Sequence, residues 1–384
     1  MQKNNQLNVV QFVRDIGNTG GGNIVVNTAK KMKQRCNTTI VTDMPFATFD
    51  PKITVKIIPF GEGLYHWKTN SKFTKTLRHT LQILNFNLMT LFVGLFYKFN
   101  GFLVVNNNNE ALFGDVISIH NVFTAEMLNH AKGKIQGLSR LLNPVMFMRV
   151  SKELLILKLL RNTLIIANSE ETKDEFSKYI NSKVKIVVIP SGVDIDMFTI
   201  DANYSFMKND KFNLLFVGHE FDRKGLTFLL EALTLLPPNI YLHVVGGRGS
   251  NIEYFKSIAS NWDISERVTF HGSQTDLIKF YQNADVFVLP SSYEGLPLVC
   301  LESMACGLPN LLTCVGGMKN LIKEGTNGYF IKRDANDIAE KVLKISNGKN
   351  DILPLKQSAR ASVVVYSWDN IANDYFNVFF SCSK

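Results

Sequence analysis

Residues Ala284 to Gly317 read ADVFVLPSSYEGLPLVCLESMACGLPNLLTCVGG. Asp285 to Leu289 is a short run of branched and aromatic residues that stops at Pro290-Ser291, the pattern of a buried parallel strand. A polar loop carrying Glu294 and Gly295 follows. From about Pro297 the period changes: Leu298, Leu301 and Ala305 recur at steps of three and four, and Gly307 supplies a helix C-cap. Glu302 lies inside that predicted helix, and Asn310 to Val315 reads as a second strand closed by Gly316-Gly317. Strand, loop, helix, strand is the repeating unit of a doubly wound α/β sheet, which places its ligands beyond the carboxyl ends of its strands.

Glu294 sits at such an end. The amides of Gly295, Leu296 and Val299 open the helix that follows Pro297, and a helix N-terminus with unpaired N–H groups suits phosphate oxygens. A carboxylate beside a phosphate is repelled unless it serves another group, and accepting hydrogen bonds from sugar hydroxyls is the simplest such service. Taken singly, Glu294 also reads as a solvated loop residue and Glu302 as an exposed helix position.

The pair Glu294-x7-Glu302, preceded by Pro290-Ser291 and followed by Ala305-Cys306-Gly307-Leu308-Pro309 and Val315-Gly316-Gly317, resembles the signature of the retaining family-4 glycosyltransferases of the GT-B fold. The resemblance continues at Gly325-x2-Gly328 and Asp334, and upstream at Phe216-Val217-Gly218, Arg223-Lys224-Gly225 and Pro190-Ser191-Gly192-Val193-Asp194. It covers the second half of the chain and is looser over the first. The loop Glu220 to Gly225 and the segment Asp115 to Glu126 are most similar to lipopolysaccharide core glucosyltransferases.

The family resemblance implies an α/β protein of the GT-B type, with two Rossmann-like doubly wound domains facing a central cleft and a C-terminal helix crossing back to the first. The expected boundaries are residues 1–195 for an acceptor-binding domain, 196–365 for a nucleotide-sugar domain and 366–384 for the returning helix. The implied activity is transfer of a hexose, glucose from UDP-glucose in the nearest subset, to a hydroxyl of a cell-surface glycan or glycolipid such as lipopolysaccharide, O-antigen or capsule. A non-catalytic sugar-nucleotide or glycan-binding protein on the same fold is the alternative, motivated by His219, where the family commonly has arginine, and by Asn121, where the nearest subset has aspartate.

Length and composition agree with two domains. The chain has 384 residues, 46% of them hydrophobic, which suits two cores of ordinary size. Met1 to Gln6 is polar and the run Leu7 to Val13 is cut by Arg14-Asp15, so no targeting segment is expected. The most hydrophobic window, Leu88 to Tyr97, spans about ten residues where a membrane-crossing helix needs about 20. The sequence therefore predicts no integral membrane protein. Five cysteines without a CxxC pair predict reduced thiols in a cytoplasmic protein, with Cys300, Cys306 and Cys314 as small buried side chains.

Charge is uneven. Residues 1–190 hold 24 Lys and Arg against 12 Asp and Glu, a net +12, and residues 191–384 hold 18 against 21, a net −3. A basic first half calls for an anionic partner: a phosphorylated glycan or glycolipid, the cytoplasmic face of the inner membrane as a peripheral contact, or nucleic acid. No basic motif interleaved with aromatics is present, which argues against nucleic acid. Between Trp67 and Phe99 the chain reads as mostly helical, with Lys68, Lys72, Lys75 and Arg78 at helical spacing beside Trp67, Phe73 and Leu77. The same pattern also describes an ordinary amphipathic helix.

Along the chain, Leu7 to Ile16 reads as the opening strand, Gly17 to Asn23 as a glycine loop, and Ile24 to Arg35 as a helix. The glycines do not match GxGxxG, so a nicotinamide cofactor is not indicated. By resemblance, Gly21 and Gly22 face donor phosphates and acceptor, and His120 and Asn121, at the end of the strand Val116 to His120, contact the reacting sugar. Arg223 and Lys224 follow the strand Phe212 to Val217, where an arginine fork and a lysine ammonium suit a diphosphate. Gly218, Gly246, His271 and Gly272 are expected to line nucleotide base and ribose, together with Gly295, Leu296, Pro297 and Val299 around the phosphates. Glu302 is expected to hold the ribose hydroxyls, and Glu294, His120, Arg223 and Lys224 to act at the reacting centre. No Asp-x-Asp motif is present where a metal-dependent transferase needs one, so no metal or other cofactor is expected beyond the nucleotide sugar itself. Beyond Gly328 the chain reads as mainly helical, with a final helix from Tyr366-Ser367-Trp368-Asp369.

Overall fold

The computed structural model describes residues 6–16, 20–44, 53–69, 71–119, 144–159, 163–180, 184–200, 211–348 and 352–383. The chain divides into two compact units: Met1–Ser191 with Trp368–Lys384, and Gly192–Ser367. Each holds one parallel sheet, as expected of two Rossmann-like domains.

The first unit has seven strands: β1 (Leu7–Phe12), β2 (Cys36–Thr42), β3 (Thr54–Ile57), β4 (Leu103–Asn107), β5 (Val116–Ile119), β6 (Leu164–Ala167) and β7 (Ile186–Val188). Their order is β3-β2-β1-β4-β5-β6-β7, and every pair is parallel. β4, β5 and β6 are buried along their whole length, which is why they read as unbroken apolar runs rather than alternating ones. The order reverses between β1 and β4, and the loops after those two strands bear Arg14 and Glu110.

The glycine segment differs from expectation. The first helix spans Gly20–Met32, so Gly21 and Gly22 form its opening turn and not a loop. A Cβ on Gly22 would lie 2.1 Å from the Asp15 carbonyl oxygen and 2.8 Å from the Ile16 Cα. Glycine is required there for packing of helix on strand end, and glycine's low helix propensity hid the start of the helix.

The Trp368–Cys382 helix belongs to the first unit although the chain reaches it from the second. Its Trp368, Ile371, Ala372, Tyr375 and Phe379 join a buried cluster with Ile24, Met32 and Val9. Lys31 pairs with Asp369 at 2.7 Å, Arg35 donates to the Asn373 side chain at 2.6 Å, and the Arg35 guanidinium stands 4.4 Å over the Phe376 ring.

The Lys72–Phe99 helix is 28 residues long and opens with a capping box between Ser71 and Thr74. Its stretch Phe73–Phe99 is long and apolar enough to cross a membrane by length and composition, contrary to the ten-residue window read from sequence. That window lay between Asn87 and Lys98, but Asn85 and Asn87 are uncharged and the helix runs through them. One face is fixed to the sheet: Phe86 and Tyr97, with Met89 and Val93, share a core with Val10, Phe12, Val41 and Val104.

The second unit has six strands: β8 (Phe212–Val217), β9 (Ile240–Val245), β10 (Val268–Gly272), β11 (Val286–Leu289), β12 (Asn310–Thr313) and β13 (Gly328–Ile331). Their order is β10-β9-β8-β11-β12-β13, again all parallel. β13 was not expected, since the chain beyond Gly328 read as helical. Four residues are too few to show a period, and the strand forms because Gly328 lets its backbone meet β12, where a Cβ would come 2.0 Å from the Asn310 carbonyl oxygen. β8, β11 and β12 are buried throughout. Here the order reverses between β8 and β11.

Two buried polar ties fix that point. The Asp285 carboxylate accepts from the Asn213 amide at 2.7 Å, joining the starts of β11 and β8. Ser303 donates to the Asn310 side chain at 3.0 Å, and Asn310 in turn donates to the Cys300 carbonyl at 3.2 Å, joining the Leu298–Ala305 helix to β12. Cys300 and Cys306 are buried as expected, but Cys314, one residue beyond β12, is exposed.

Candidate functional site

Where β8 and β11 part, two loops meet. The β8 loop turns through a short helix, Phe221–Lys224, and ends at Gly225 with φ +79°. The β11 loop carries Ser291 to Leu296 and leads into the Leu298–Ala305 helix, whose N-terminus at Pro297 has no side-chain cap. That leaves first-turn amides for a ligand to satisfy.

Glu294 is the centre of the site. Lys224 Nζ lies 2.9 Å from Glu294 Oε1, Arg223 Nη1 3.1 Å from the same oxygen, and the Ser291 hydroxyl donates to it at 2.9 Å. Burial pushes the Glu294 carboxyl up, but the charges of Lys224 and Arg223 and the hydrogen bonds of Lys224 and Ser291 outweigh it, so the group is held below the usual carboxylate range. Arg223 is itself fixed: two nitrogens fork onto Glu220 Oε2 at 2.9 and 2.7 Å, and Nη1 donates to the Tyr293 carbonyl. The result is a carboxylate that is ionised, oriented and flanked by two cations.

Glycines make the arrangement possible. A Cβ on Gly218 would fall 2.1 Å from Lys224 Cδ, so only glycine lets the lysine stem pass beneath the end of β8. Gly316, with φ +51°, has room for no side chain, because a Cβ would sit 1.7 Å from the Glu294 carbonyl oxygen. Gly317 donates its amide to the Gly295 carbonyl. The end of β12 thus presses the Glu294 loop into place.

Beside the ion cluster lies a cavity of about 270 Å³ lined by Gly218, His219, Glu220, Lys224, Gly246, Gln274 and Val299 among others. Gly218, Lys224, Gly246 and Val299 were all anticipated from sequence. Residues 199–362, which contain all of these, match the family model described as glycosyl transferases group 1.

Over these residues the chain is similar to the group 1 glycosyl transferases.

The chain is also similar to proteins named as glycosyltransferases. It is 28% identical over 342 residues to an uncharacterized glycosyltransferase of Haemophilus influenzae, covering 86% of this chain and 87% of the relative. It is 29% identical over 240 residues to an uncharacterized glycosyltransferase of Methanocaldococcus jannaschii, covering 56% of this chain and 59% of that protein. Among solved structures it is similar to sucrose-phosphate synthase from Thermosynechococcus elongatus, with TM-score 0.77, 18% identity and 98% and 99% of the two chains covered. WaaG, a glycosyltransferase involved in lipopolysaccharide biosynthesis, gives 0.76 at 19% identity, covering 97% and 99%. Anabaena HepE in complex with UDP-glucose gives 0.70 at 16%, covering 98% and 100%. At such identities these structures establish the fold, two Rossmann-like units of the GT-B type, and nothing finer.

Other expected residues of the second unit lie elsewhere. His271 does not line the cavity beside Lys224. Its ring stacks on His243 with Nε2 3.0 Å from His243 Nδ1, and together with Asn213, Lys279 and Phe280 the pair lines a separate cavity of about 250 Å³. The reason is strand alternation: in β9 and β10 the side chains of His243 and His271 point to one face of the sheet, and the helix Ile278–Asn283 covers that face. Gly272 takes φ +65° and its carbonyl accepts from Gly246 at 2.7 Å, so it shapes the strand end that Gly246 occupies.

Glu302 accepts from the Tyr281 hydroxyl at 2.9 Å and does not line the cavity. Burial raises its pKa above the ordinary value, offset in part by that hydrogen bond. Gly295, Leu296 and Pro297 form the turn that delivers Glu294 and opens the helix, with Leu296 packed in the core. Gly21 and Gly22 stand in the first unit as a helix start. His120 and Asn121 lie outside the described residues, as does most of the expected linker Asp201 to Lys211.

Sequence reading missed Ser291 as the third donor to Glu294, although Pro290-Ser291 was part of the motif. It also missed Gly316 as a wedge. For Tyr281 there was no signal: it contacts Glu302 from 21 residues away across the fold.

Proposed function

We propose that the chain is a retaining hexosyltransferase that moves glucose from UDP-glucose to a hydroxyl of an anionic glycan or glycolipid of the cell surface, such as lipopolysaccharide, O-antigen or capsule, on the cytoplasmic side of the inner membrane. The observation that carries this reading is the fixed triplet of Glu294, Lys224 and Arg223, of which Lys224 lines the cavity together with Gly218 and Gly246. The sequence relatives support the reaction class, and HepE, solved with UDP-glucose, supports the choice of donor tested first.

Cleavage of a sugar–diphosphate bond builds negative charge on the departing phosphate, and preorganised positive groups aimed there lower the barrier. Lys224 and Arg223 supply charge, and the uncapped N-terminus of the Leu298–Ala305 helix supplies amides. Lys224, Arg223 and Ser291 all address Oε1 of Glu294, which leaves Oε2 to accept a hydroxyl of the transferred hexose. Glu294 then orients the sugar and needs no nucleophilic step. The acceptor hydroxyl attacks from the face the phosphate leaves, and the phosphate takes its proton. Two cationic side chains do here what a divalent metal does elsewhere, so the reaction proceeds without one. Glu302, tied to Tyr281, stabilises the helix beneath the phosphates and reaches a ribose hydroxyl only if that tie opens.

The test is nucleotide release by the purified protein in EDTA across UDP-, GDP- and ADP-sugars, with candidate glycolipid acceptors, comparing wild type with Glu294→Ala and Lys224→Ala. Release from one donor that both substitutions abolish supports the reading and names the donor. Binding of a nucleotide sugar with no turnover under any condition overturns it.

A further inference from the structure

His271 is the extra residue of a β-bulge. In the pairing of β10 with β9, Phe270 lies opposite Val244 and Gly272 opposite Val245, so His271 has no residue facing it, and a bulge re-aims the side chain it carries. The backbone here holds two residues of the cavity beside Lys224. The His271 carbonyl accepts from Gln274 Nε2 at 2.7 Å, the Gly272 carbonyl accepts from the Gly246 amide at 2.7 Å, and Gln274 and Gly246 both line that cavity. The His271 side chain lines the other cavity, of about 250 Å³, beneath the Ile278–Asn283 helix. The bulge is therefore common to both.

The polar groups of this second cavity form a fixed order of donors and acceptors. Burial holds both histidines below their ordinary pKa, with the neighbouring ring adding to the effect at His243 and Lys279 at His271, so at neutral pH each ring carries one proton. The Asn213 side-chain oxygen, 3.4 Å from His243 Nε2, can only accept, and that nitrogen therefore holds the His243 proton. His243 Nδ1 then accepts from His271 Nε2 at 3.0 Å. His271 Nδ1 is left as a bare acceptor with no partner among the described residues. Asn213 is only 5% exposed, and its Nδ2 likewise has no partner among the described residues. Lys279 stands at the exposed rim, 5.5 Å over the Phe280 ring, without an ion pair among the described residues. Leu215 and Phe280 add an apolar wall, and no acidic residue lines the cavity among the described residues.

A mostly apolar cavity with a few convergent polar groups is the form of a small-molecule site, and buried polar atoms without partners call for a ligand or water to complete them. A cation and an amide donor match a carboxylate, an imidazole acceptor matches a hydroxyl, and the flat Phe280 ring matches a planar body. The volume equals that of roughly eight waters, room for a molecule of about ten non-hydrogen atoms. We propose that the cavity of His243, His271 and Lys279 is a second ligand site, which takes a small planar carboxylate bearing a hydroxyl and, through the β10 bulge, strengthens binding in the cavity beside Lys224. An occupant that fixes the His271 ring also fixes the two carbonyls that position Gln274 and Gly246, so the other ligand meets a wall already ordered. The coupling rests on the nucleotide-sugar reading of that cavity, whereas binding at the histidine pair is tested without a sugar nucleotide.

The experiment is calorimetry of the full chain with 3- and 4-hydroxybenzoate. At least one is expected to bind with a Kd of about 1 mM or below, the strength of a ligand of about ten non-hydrogen atoms. Benzoate, which lacks the hydroxyl, and the matching hydroxybenzamide, which lacks the charge, should each bind about tenfold more weakly. Lys279→Gln, a change at the exposed rim, should weaken hydroxybenzoate about tenfold and leave hydroxybenzamide unaffected. His271→Phe should remove the advantage of hydroxybenzoate over benzoate. Absence of binding by both at about 10 mM, or equal binding by wild type and Lys279→Gln, overturns the proposal. So does displacement of the probe by UDP-glucose, which would put the probe in the cavity beside Lys224. With the probe saturating, UDP-glucose should bind wild type about fivefold more tightly, and Lys279→Gln should show no such gain. Unchanged UDP-glucose affinity in wild type overturns the coupling. If hydroxybenzoate binds and no sugar nucleotide does, the donor reading fails and the second site stands.

Discussion

Both sheets end, where their strand order reverses, in a buried meeting of cations and carboxylates, and the two meetings are balanced differently. In the second unit, Lys224 and Arg223 converge on one oxygen of Glu294 and hold it ionised. In the first, Arg14 reaches Asp43 at 2.9 Å, its amide donates to Glu110 at 2.6 Å, and Lys152 donates to the Glu110 carbonyl at 2.9 Å. Burial there is stronger than pairing. It pushes the Asp43 carboxyl up to about 6 in spite of Arg14, and it pulls Lys152 down to about 7. Asp43 Oδ1 is buried without a hydrogen-bond partner among the described residues. The same topological position can thus hold a charge ready for use or charges close to neutralisation, and the count of partners on each oxygen decides which.

The largest effect should come from breaking the balanced cluster. Glu294→Ala and Lys224→Ala are each expected to lower kcat by about 10²–10³, the range for one preorganised electrostatic group. The double variant should cost little more than either, since the two act through one ion pair. Additive losses in a kinetic double-mutant cycle would show that they act separately.

Next is Gly316→Ala, which forces a Cβ into the Glu294 carbonyl at positive φ and should cost about 2–4 kcal/mol in urea unfolding of the second unit. Donor affinity should fall with it. An unchanged unfolding midpoint would mean the β12 end does not brace the loop.

The pH dependence of the two clusters should have opposite sign. Asp43 ionises at about 6 when folded against an ordinary value near 3.8. The folded state therefore holds the proton more tightly, and stability present at low pH is lost as pH rises from about 4 through about 6, by about 2–3 kcal/mol. Stability of Asp43→Asn should be flatter across that window. Glu294 is depressed, so its advantage over Glu294→Gln should be present above the ordinary carboxylate pKa and disappear in stronger acid. Thermal unfolding of both pairs from about pH 2.5 to about pH 8 covers both windows and measures the two slopes, and slopes of equal sign would mean that the two clusters are balanced alike.

The smallest effect is Tyr281→Phe, which leaves the buried Glu302 carboxyl without its donor and should cost about 1–2 kcal/mol of stability. With Glu302 structural, kcat/KM changes far less than in Glu294→Ala. A comparable fall in both would bring Glu302 into donor binding.

The second cluster was legible in the sequence and the first was not, for a physical reason. Glu294, Arg223 and Lys224 sit in loops bounded by glycine and proline, and such boundaries are visible along a chain. Arg14, Asp43, Glu110 and Lys152 come from four separate segments that no local pattern links. Parallel strands such as β8 and β12 were found because burial on both faces makes them continuously apolar. β13 and the start of the Gly20–Met32 helix were missed because each is fixed by a glycine packing against distant backbone. His271 was placed at the right strand end, but which face its side chain would take depended on the register of β10, which composition does not carry.

The Trp368–Cys382 helix gives the chain an order of assembly. The second unit is contiguous and can close as soon as it leaves the ribosome, whereas the first must wait for residues made after the second. Until Trp368, Tyr375 and Phe379 arrive, the cluster that holds Ile24 and Met32 is incomplete, and the unit that begins to emerge first is the later of the two to be completed. A nascent chain stalled before residue 368 would hold a finished second unit beside an open, aggregation-prone first.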